Sequence, residues 1–480
     1  MHASYIEEQS ISIPEREKNR KIRKCYCGWK LFSPLFSAPP EFLSGFFLCL
    51  CETIHPSMRT AAWIWFWRSR SLQVLALAGL CLAAYACCVN NGFISDDFVN
   101  LRHADALKSD FWTLFQSPPL NFRLTSFLVY SVLQTAFGGR YELFYAANIL
   151  LHFINCLLLW KLLVVLERDV KEAYLAAALF AVFQAPQEAV MWISAMNETL
   201  LGLFVLSALV LWFKGRRFMA AIFFLLALFS KESAPILFLL IPLIRWTRGE
   251  KILTTEMAPL AGPAALFAAA FAWTWSGNSM IQHGIYKLGP GALLVLGRSL
   301  HLLFRPAFYV VLAILLAATR SLEAFKPLTK YLVWIAVPMS PYVFLTYSPY
   351  IPSRQVYLAS MVLASVMAYL ILQWMRPALQ FTVIMAFIAY NVGYMWLRND
   401  PQFEGRAAPT TQLLTFLRSR QPKPILIEGF PYEASDIAKD ASRFAPGWSR
   451  DRIHVNEPPY ACPDCVIIRW NEESNRYDGL

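Results

Sequence analysis

The chain has 480 residues, of which 57% are hydrophobic and 16% charged, and carries a net charge of +11. Soluble domains hold nearer a quarter charged residues, so this composition excludes an ordinary soluble protein and points to an all-α polytopic membrane protein. The basic residues fall in short clusters between apolar runs, which reads as a topology signal, with attraction to anionic lipid second, rather than as a nucleic-acid surface.

Residues 1–57 differ from the rest of the chain: they are basic at first (Glu15 to Lys24), then irregular, with an apolar run (Phe42 to Cys51) too short to span a bilayer. They are either a disordered cytoplasmic extension or lie ahead of a start at Met58, and the pattern favours the second. Arg59, Arg68 and Arg70 then precede the apolar run Leu72–Val89, an inside-positive flank leading into a membrane helix. Apolar runs predict spans near 72–90, 143–165, 173–190, 198–213, 218–230, 233–245, 257–275, 306–319, 329–346, 355–374 and 378–397, about eleven in all. With this count Arg168 and Lys171, Lys214 to Arg217, Arg245 to Lys251, Arg320 to Lys330 and Arg376 share one side. Residues 121–137 and 291–304 are therefore read as helices lying at the opposite surface, because counting the first as a span would invert every later loop. The expected organisation is a transmembrane domain over 58–397 with a long first outer loop at 90–142, then a small extracytoplasmic α/β domain over 398–480. That domain holds two strand-like runs, Pro424–Phe430 and Cys465–Trp470, and the pair Cys462 and Cys465. A single CxxC is a weak zinc signal, so a structural disulfide is favoured over a free or redox-active pair if the tail is outside the cytoplasm. The expected location is a bacterial inner membrane, with a cytoplasmic N-terminus and a periplasmic C-terminus.

The expected outer side gathers the residues that can carry chemistry. Asp96 and Asp97 come just after the first span. Two adjacent like charges raise each other's pKa, and a carboxylate at the water–lipid boundary is suited to act as a general base. The competing reading is a solvated turn after Gly92. Arg123 is either a snorkelling interfacial residue or a phosphate contact. Lys231 and Glu232 interrupt a nearly continuous apolar run; they form either a self-contained pair at a hairpin turn or a functional charge pair. Arg354, in a Pro- and Tyr-rich segment entering a helix, is either a helix-start residue or a phosphate fork. Glu188 and Trp192 lie at an outer helix turn where they can face a polar substrate, as can Glu232. Carboxylates together with cations beside lipid suit an enzyme whose donor is a lipid-linked phosphate: the cations neutralise the departing phosphate and the base activates the acceptor. A polyprenyl-linked sugar flippase or transporter is the alternative, although transporters put polar groups near the midplane and show internal repeats.

Six segments in this order carry a family resemblance: NGFISDDFVNL (Asn91–Leu101), FRLT (Phe122–Thr125), NILLHFIN (Asn148–Asn155), EAVMWIS (Glu188–Ser194), LFSKESAPIL (Leu228–Leu237) and PSRQVYLAS (Pro352–Ser360). Over residues 72–375 the chain resembles the GT-C superfamily of membrane glycosyltransferases, in particular the branch of protein O-mannosyltransferases and tetratricopeptide-bearing mannosyltransferases. The resemblance implies an inverting hexosyl transfer, such as mannosyl transfer, from a polyprenyl-phosphate-sugar donor to a protein, lipid or glycan acceptor. It assigns the base to Asp96 or Asp97 and donor phosphate contacts to Arg354 and Lys231. Two departures stand out. The family's RPL-like motif reads RLT at Arg123, and no tetratricopeptide array is present after the last span. Metal dependence varies within the superfamily, so a divalent metal stays open, although these residues form no clear metal site.

Overall fold

A computed structural model describes residues 67–112, 123–252, 255–274, 289, 291–305, 329–344, 349–432, 434–458, 462 and 464–478. These residues fall into two units divided between Ala76 and Leu77. The first contributes the opening turns of helix α1 (Arg70–Tyr85), where Gln73 Nε2 donates to the Trp67 carbonyl at 3.5 Å. The second carries all the remaining elements.

In chain order the helices are α2 (Asp96–Ser109), α3 (Leu124–Phe137), α4 (Tyr141–Val165), α5 (Val170–Val182), α6 (Gln187–Met191), α7 (Met196–Phe213), α8 (Arg217–Leu228), α9 (Leu237–Thr247), α10 (Ala261–Thr274), α11 (Gly291–Phe304), α12 (Thr329–Met339), α13 (Tyr357–Trp374), α14 (Pro377–Tyr394), α15 (Asp400–Ser419) and α16 (Asp436–Ala441). Among the described residues, six helical stretches are long and apolar enough to cross a bilayer: Arg70–Asn90, Tyr141–Val165, Ile193–Phe213, Thr255–Trp273, Ser353–Trp374 and Pro377–Ser419. Shorter apolar helices include Leu124–Phe137, Arg217–Leu228, Ala234–Thr247 and Gly291–Phe304. The span expected at 306–319 lies outside the described residues.

Two expected spans change shape. The run 173–190 is broken: α5 stops at Val182, Phe183 is extended, and α6 begins only at Gln187. Pro186 lacks an amide N–H and disfavours helix in the residue before it, which is sufficient cause. The run 378–397 does not stop where expected. The helix passes from α14 through a π-turn at Met395–Asn399 directly into α15, so residue 398 lies inside a helix rather than at its end. Pro401, early in α15, has no N–H to donate back into the preceding turn, and the helix widens into its π-turn just before it. Between α13 and α14, Met375 and Arg376 are extended ahead of Pro377, which opens α14 at its first position.

The core of the bundle is held by a polar stripe as well as by apolar packing. Asn148, His152 and Asn155 recur at helical spacing on α4 and are fully buried. Asn148 Nδ2 donates to the carbonyls of Ala189 and Val190 at 2.9 Å, and its Oδ1 accepts from Thr199 Oγ1 at 2.7 Å. Asn155 Nδ2 donates to the Thr199 carbonyl and to Tyr357 Oη, and His152 Nδ1 lies 2.8 Å from the same hydroxyl. These are core contacts that tie α4 to α7 and α13. Gly202 lets the helices come this close: a Cβ there would stand 2.8 Å from Tyr357 Cε1 and 3.1 Å from Asn155 Nδ2.

Beyond α15 the chain forms a four-stranded sheet of β1 (Ile425–Glu428), β2 (Ile453–Val455), β3 (Val466–Asn471) and β4 (Arg476–Asp478), in the order β2-β1-β3-β4. β1 runs parallel to both neighbours, and β3 and β4 are antiparallel. The central strand is buried on both faces (Ile425, Leu426, Ile427), as a parallel strand under crossovers requires. The α/β expectation for the tail thus holds, with strands where the two apolar runs placed them.

Candidate active site at one end of the bundle

The two adjacent aspartates have opposite environments. Asp96 is exposed and Asp97 has no accessible surface. Both sit in the first turn of α2, where carboxylates are favoured by the helix dipole. Asp97 Oδ2 accepts from the Ile94 amide at 2.8 Å. Its Oδ1 accepts from the Ser194 amide at 2.7 Å and from the Ser194 hydroxyl, which in turn accepts from Asn100 Nδ2. Burial pushes the Asp97 carboxyl up to about 7, and the hydrogen bonds from Ser194 and Ile94 hold it from rising further. Ser95, between the clamp and the pair, has φ of +46°, a conformation that costs a non-glycine residue on the order of 1–3 kcal/mol. The Asp97 bonds on either side hold that turn, and the turn leaves the Asp96 side chain in the open.

Further contacts anchor this region. Tyr145 Oη donates to the Gly92 carbonyl at 2.8 Å, and Trp192 Nε1 donates to the Ile94 carbonyl at 3.3 Å. Farther along α2, Arg102 pairs with Asp436 and Asp440 at 3.4 Å, and Arg443 pairs with Asp105 at 2.9 Å. α2 is therefore strapped to the segment that comes after β1.

The indole of Trp192 joins the aspartates to a charged cluster. The guanidinium carbons of Arg354 and Arg406 stand 5.0 and 4.6 Å from its ring centroid. Both arginines also share one carboxylate: Glu188 lies 3.1 Å from Arg354 and 3.3 Å from Arg406. Arg406 comes from α15, beyond the expected end of the membrane domain, and the sequence pattern does not single it out. Tyr432 closes the same corner, its hydroxyl donating to the Arg406 carbonyl.

A second cluster lies alongside. Lys231 is buried and paired with Glu198, a residue not singled out from the sequence. The Lys231 ammonium stands 5.0 Å from the centre of the Tyr342 ring, and the Tyr342 hydroxyl reaches Ser233 at 2.6 Å. Glu232 turns away from its neighbour and takes a two-pronged bond from Arg123, at 2.9 and 3.3 Å. The Lys231–Glu232 turn pair is thus corrected: each residue pairs with a different partner, because adjacent side chains leaving the end of α8 point in different directions. Arg123 and Lys231 each have a carboxylate to themselves, whereas Arg354 and Arg406 divide one between them. Together the two clusters gather four cations (Arg123, Lys231, Arg354, Arg406) around three paired carboxylates (Glu188, Glu198, Glu232).

Cys462 and Cys465 are joined as a disulfide. The groups of donors among the described residues that can hold a metal are Cys81 with His152 and Cys156, and His454 with Cys462 and Cys465; neither includes Asp96 or Asp97. No protein-family model matches this sequence, and no curated protein matches it either.

Proposed function

We propose that the protein is a GT-C-type glycosyltransferase that moves a sugar from a polyprenyl-phosphate donor to an acceptor hydroxyl or amine, with inversion. The observation that carries the reading is the exposed Asp96 carboxylate two residues after Ile94, whose carbonyl accepts from Trp192, the indole that two guanidiniums face while sharing one acid. In this mechanism Asp96 accepts the proton of the acceptor as that oxygen or nitrogen attacks the anomeric carbon. The bond from that carbon to the phosphate oxygen breaks, and its electron pair leaves with the lipid phosphate. Arg354 and Arg406 take up the charge that develops there. Trp192 holds both guanidiniums by cation–π contact. Asp97 is a positioning residue: buried and bonded to Ile94 and Ser194, it fixes the turn from which Asp96 projects. Lys231 and Arg123, each paired with a glutamate, brace the walls of the site without touching phosphate.

In this reading the chain crosses the membrane about eleven times and works at the extracytoplasmic surface of a bacterial inner membrane. The clusters Arg168–Lys171 and Lys214–Arg217 support that orientation, since each lies at the end of α4 or α7 away from the aspartates. The acceptor is a protein, lipid or envelope glycan.

The test is transfer from a panel of radiolabelled polyprenyl-phosphate sugars by purified protein in detergent, with host lysate as acceptor, beside the Asp96→Asn variant. Aspartate-dependent transfer of one sugar is expected. Normal turnover by Asp96→Asn removes the base assignment; no transfer from any donor, with vesicle translocation of the lipid-linked sugar instead, replaces the enzyme by a flippase.

A further inference from the structure

The CPDC pair has a third partner that sequence spacing hides. His454 lies in the middle of β2, and Cys465 immediately precedes β3, the strand on the other side of β1. The fold nevertheless brings one ring nitrogen of His454 and both sulfurs within 4.8 Å of one another, all three side chains being partly accessible. His454 Nδ1 lies 2.8 Å from a Glu457 oxygen, and Glu457 also faces Lys439 at 3.7 Å.

We propose that Cys462, Cys465 and His454 form a redox-gated zinc site: closed to metal as the disulfide, and able to bind one Zn2+ when reduced. The donor set is the argument. Two thiolates and one imidazole are the borderline-soft ligands that Zn2+ selects over calcium or magnesium, and two thiolates cancel its charge. Nδ1–H donating to Glu457 leaves Nε2 as the ring nitrogen with a lone pair, and a carboxylate behind a ligating histidine is the usual way its orientation is fixed. A tetrahedral Zn2+ needs ligand atoms roughly 3.5–3.8 Å apart, from Zn–S near 2.3 Å and Zn–N near 2.0 Å. The present cluster reaches that spacing by opening the sulfur–sulfur bond and small side-chain rotations. Water completes the fourth position.

The chemistry balances with a dithiol as reductant. Two electrons and two protons pass from the dithiol to the Cys462–Cys465 disulfide, giving two thiols and leaving the reductant as its own disulfide. Zn2+ then displaces both thiol protons. While the disulfide persists, neither sulfur is a thiolate and the site has one ligand, too few to hold the ion.

The experiment uses the full chain in detergent, in the oxidised state and after reduction by dithiothreitol and anaerobic desalting, with Zn2+ or Co2+ chloride as the only added ligand. Cys462→Ser/Cys465→Ser controls for the buried cysteines of the bundle. Reduced wild type is expected to retain one more zinc per chain than this control, whereas oxidised wild type retains none more. Cobalt is expected to give thiolate charge-transfer and tetrahedral ligand-field absorption in reduced wild type alone. His454→Ala, which removes a direct ligand, is expected to weaken binding by more than the roughly 10–100-fold typical of losing an outer-shell partner, while leaving free-thiol titration unchanged. Equal zinc content in reduced wild type and the double serine variant overturns the proposal. So does a cobalt spectrum and affinity unchanged by His454→Ala.

Discussion

Replacing Asp97 by Asn isolates the burial of one carboxyl. In the folded chain Asp97 takes its proton with a pKa of about 7, against an ordinary value of 3.8, because burial disfavours the charged form. The folded state therefore holds the proton more tightly than the unfolded chain. The stability this provides is complete below about pH 4, where both states are protonated, and falls as the unfolded carboxyl alone ionises. The loss runs at about 1.4 kcal/mol per pH unit and ends near pH 7, a total of about 4 kcal/mol. Asn cannot ionise, so its stability lacks this slope. It does lose an acceptor: one oxygen now serves where two accepted from Ile94 and Ser194, at a cost of about 1–3 kcal/mol. The variant is thus expected to be less stable than wild type at pH 4 and more stable, by about 1–3 kcal/mol, at pH 8. Thermal unfolding followed by tryptophan fluorescence in detergent between those limits measures the difference, in which other titrating groups cancel. Parallel melting curves at every pH would mean that Asp97 ionises as easily folded as unfolded, and the assigned environment would be wrong.

The same contacts lead to other expected outcomes. Arg406→Ala and Arg354→Ala should each weaken donor binding at least tenfold. Because the two share Glu188 and Trp192, the double variant should depart from additivity by about 0.5–3 kcal/mol; strictly additive binding losses would separate their roles. Lys231→Met should lower stability by about 3–5 kcal/mol by stranding Glu198, and adding Glu198→Gln should recover most of it, as read by melting temperature. No recovery would mean that the pair is not what the lysine stabilises. Gly202→Ala should cost about 1–3 kcal/mol by forcing Tyr357 away from α7, and a neutral result would show that α13 moves freely.

The extent to which the sequence determined this protein depends on the range of each interaction. The length of an apolar run is a local property, so Tyr141–Val165 and Ser353–Trp374 were legible as spans, as were the two strands flanking the tail. The break at Pro186 was equally local, yet the apolar composition on either side masked it. That the carboxylates and cations stand out was legible too, since ionisable groups are rare in such a chain. Which aspartate is exposed was not. Asp97 is buried by Ser194, 97 residues away, and two adjacent identical side chains carry no local signal to separate them. Arg406 reaches Glu188 across 218 residues, on a helix whose apolar run ends before it. Lys231 prefers Glu198, 33 residues distant, to the glutamate beside it. His454 meets the CPDC pair only because β1 brings β2 and β3 to its two edges. Periodicity reports which residues share a face of one element. Charge pairing and burial are decided by which faces meet, and that is set only when the whole chain packs.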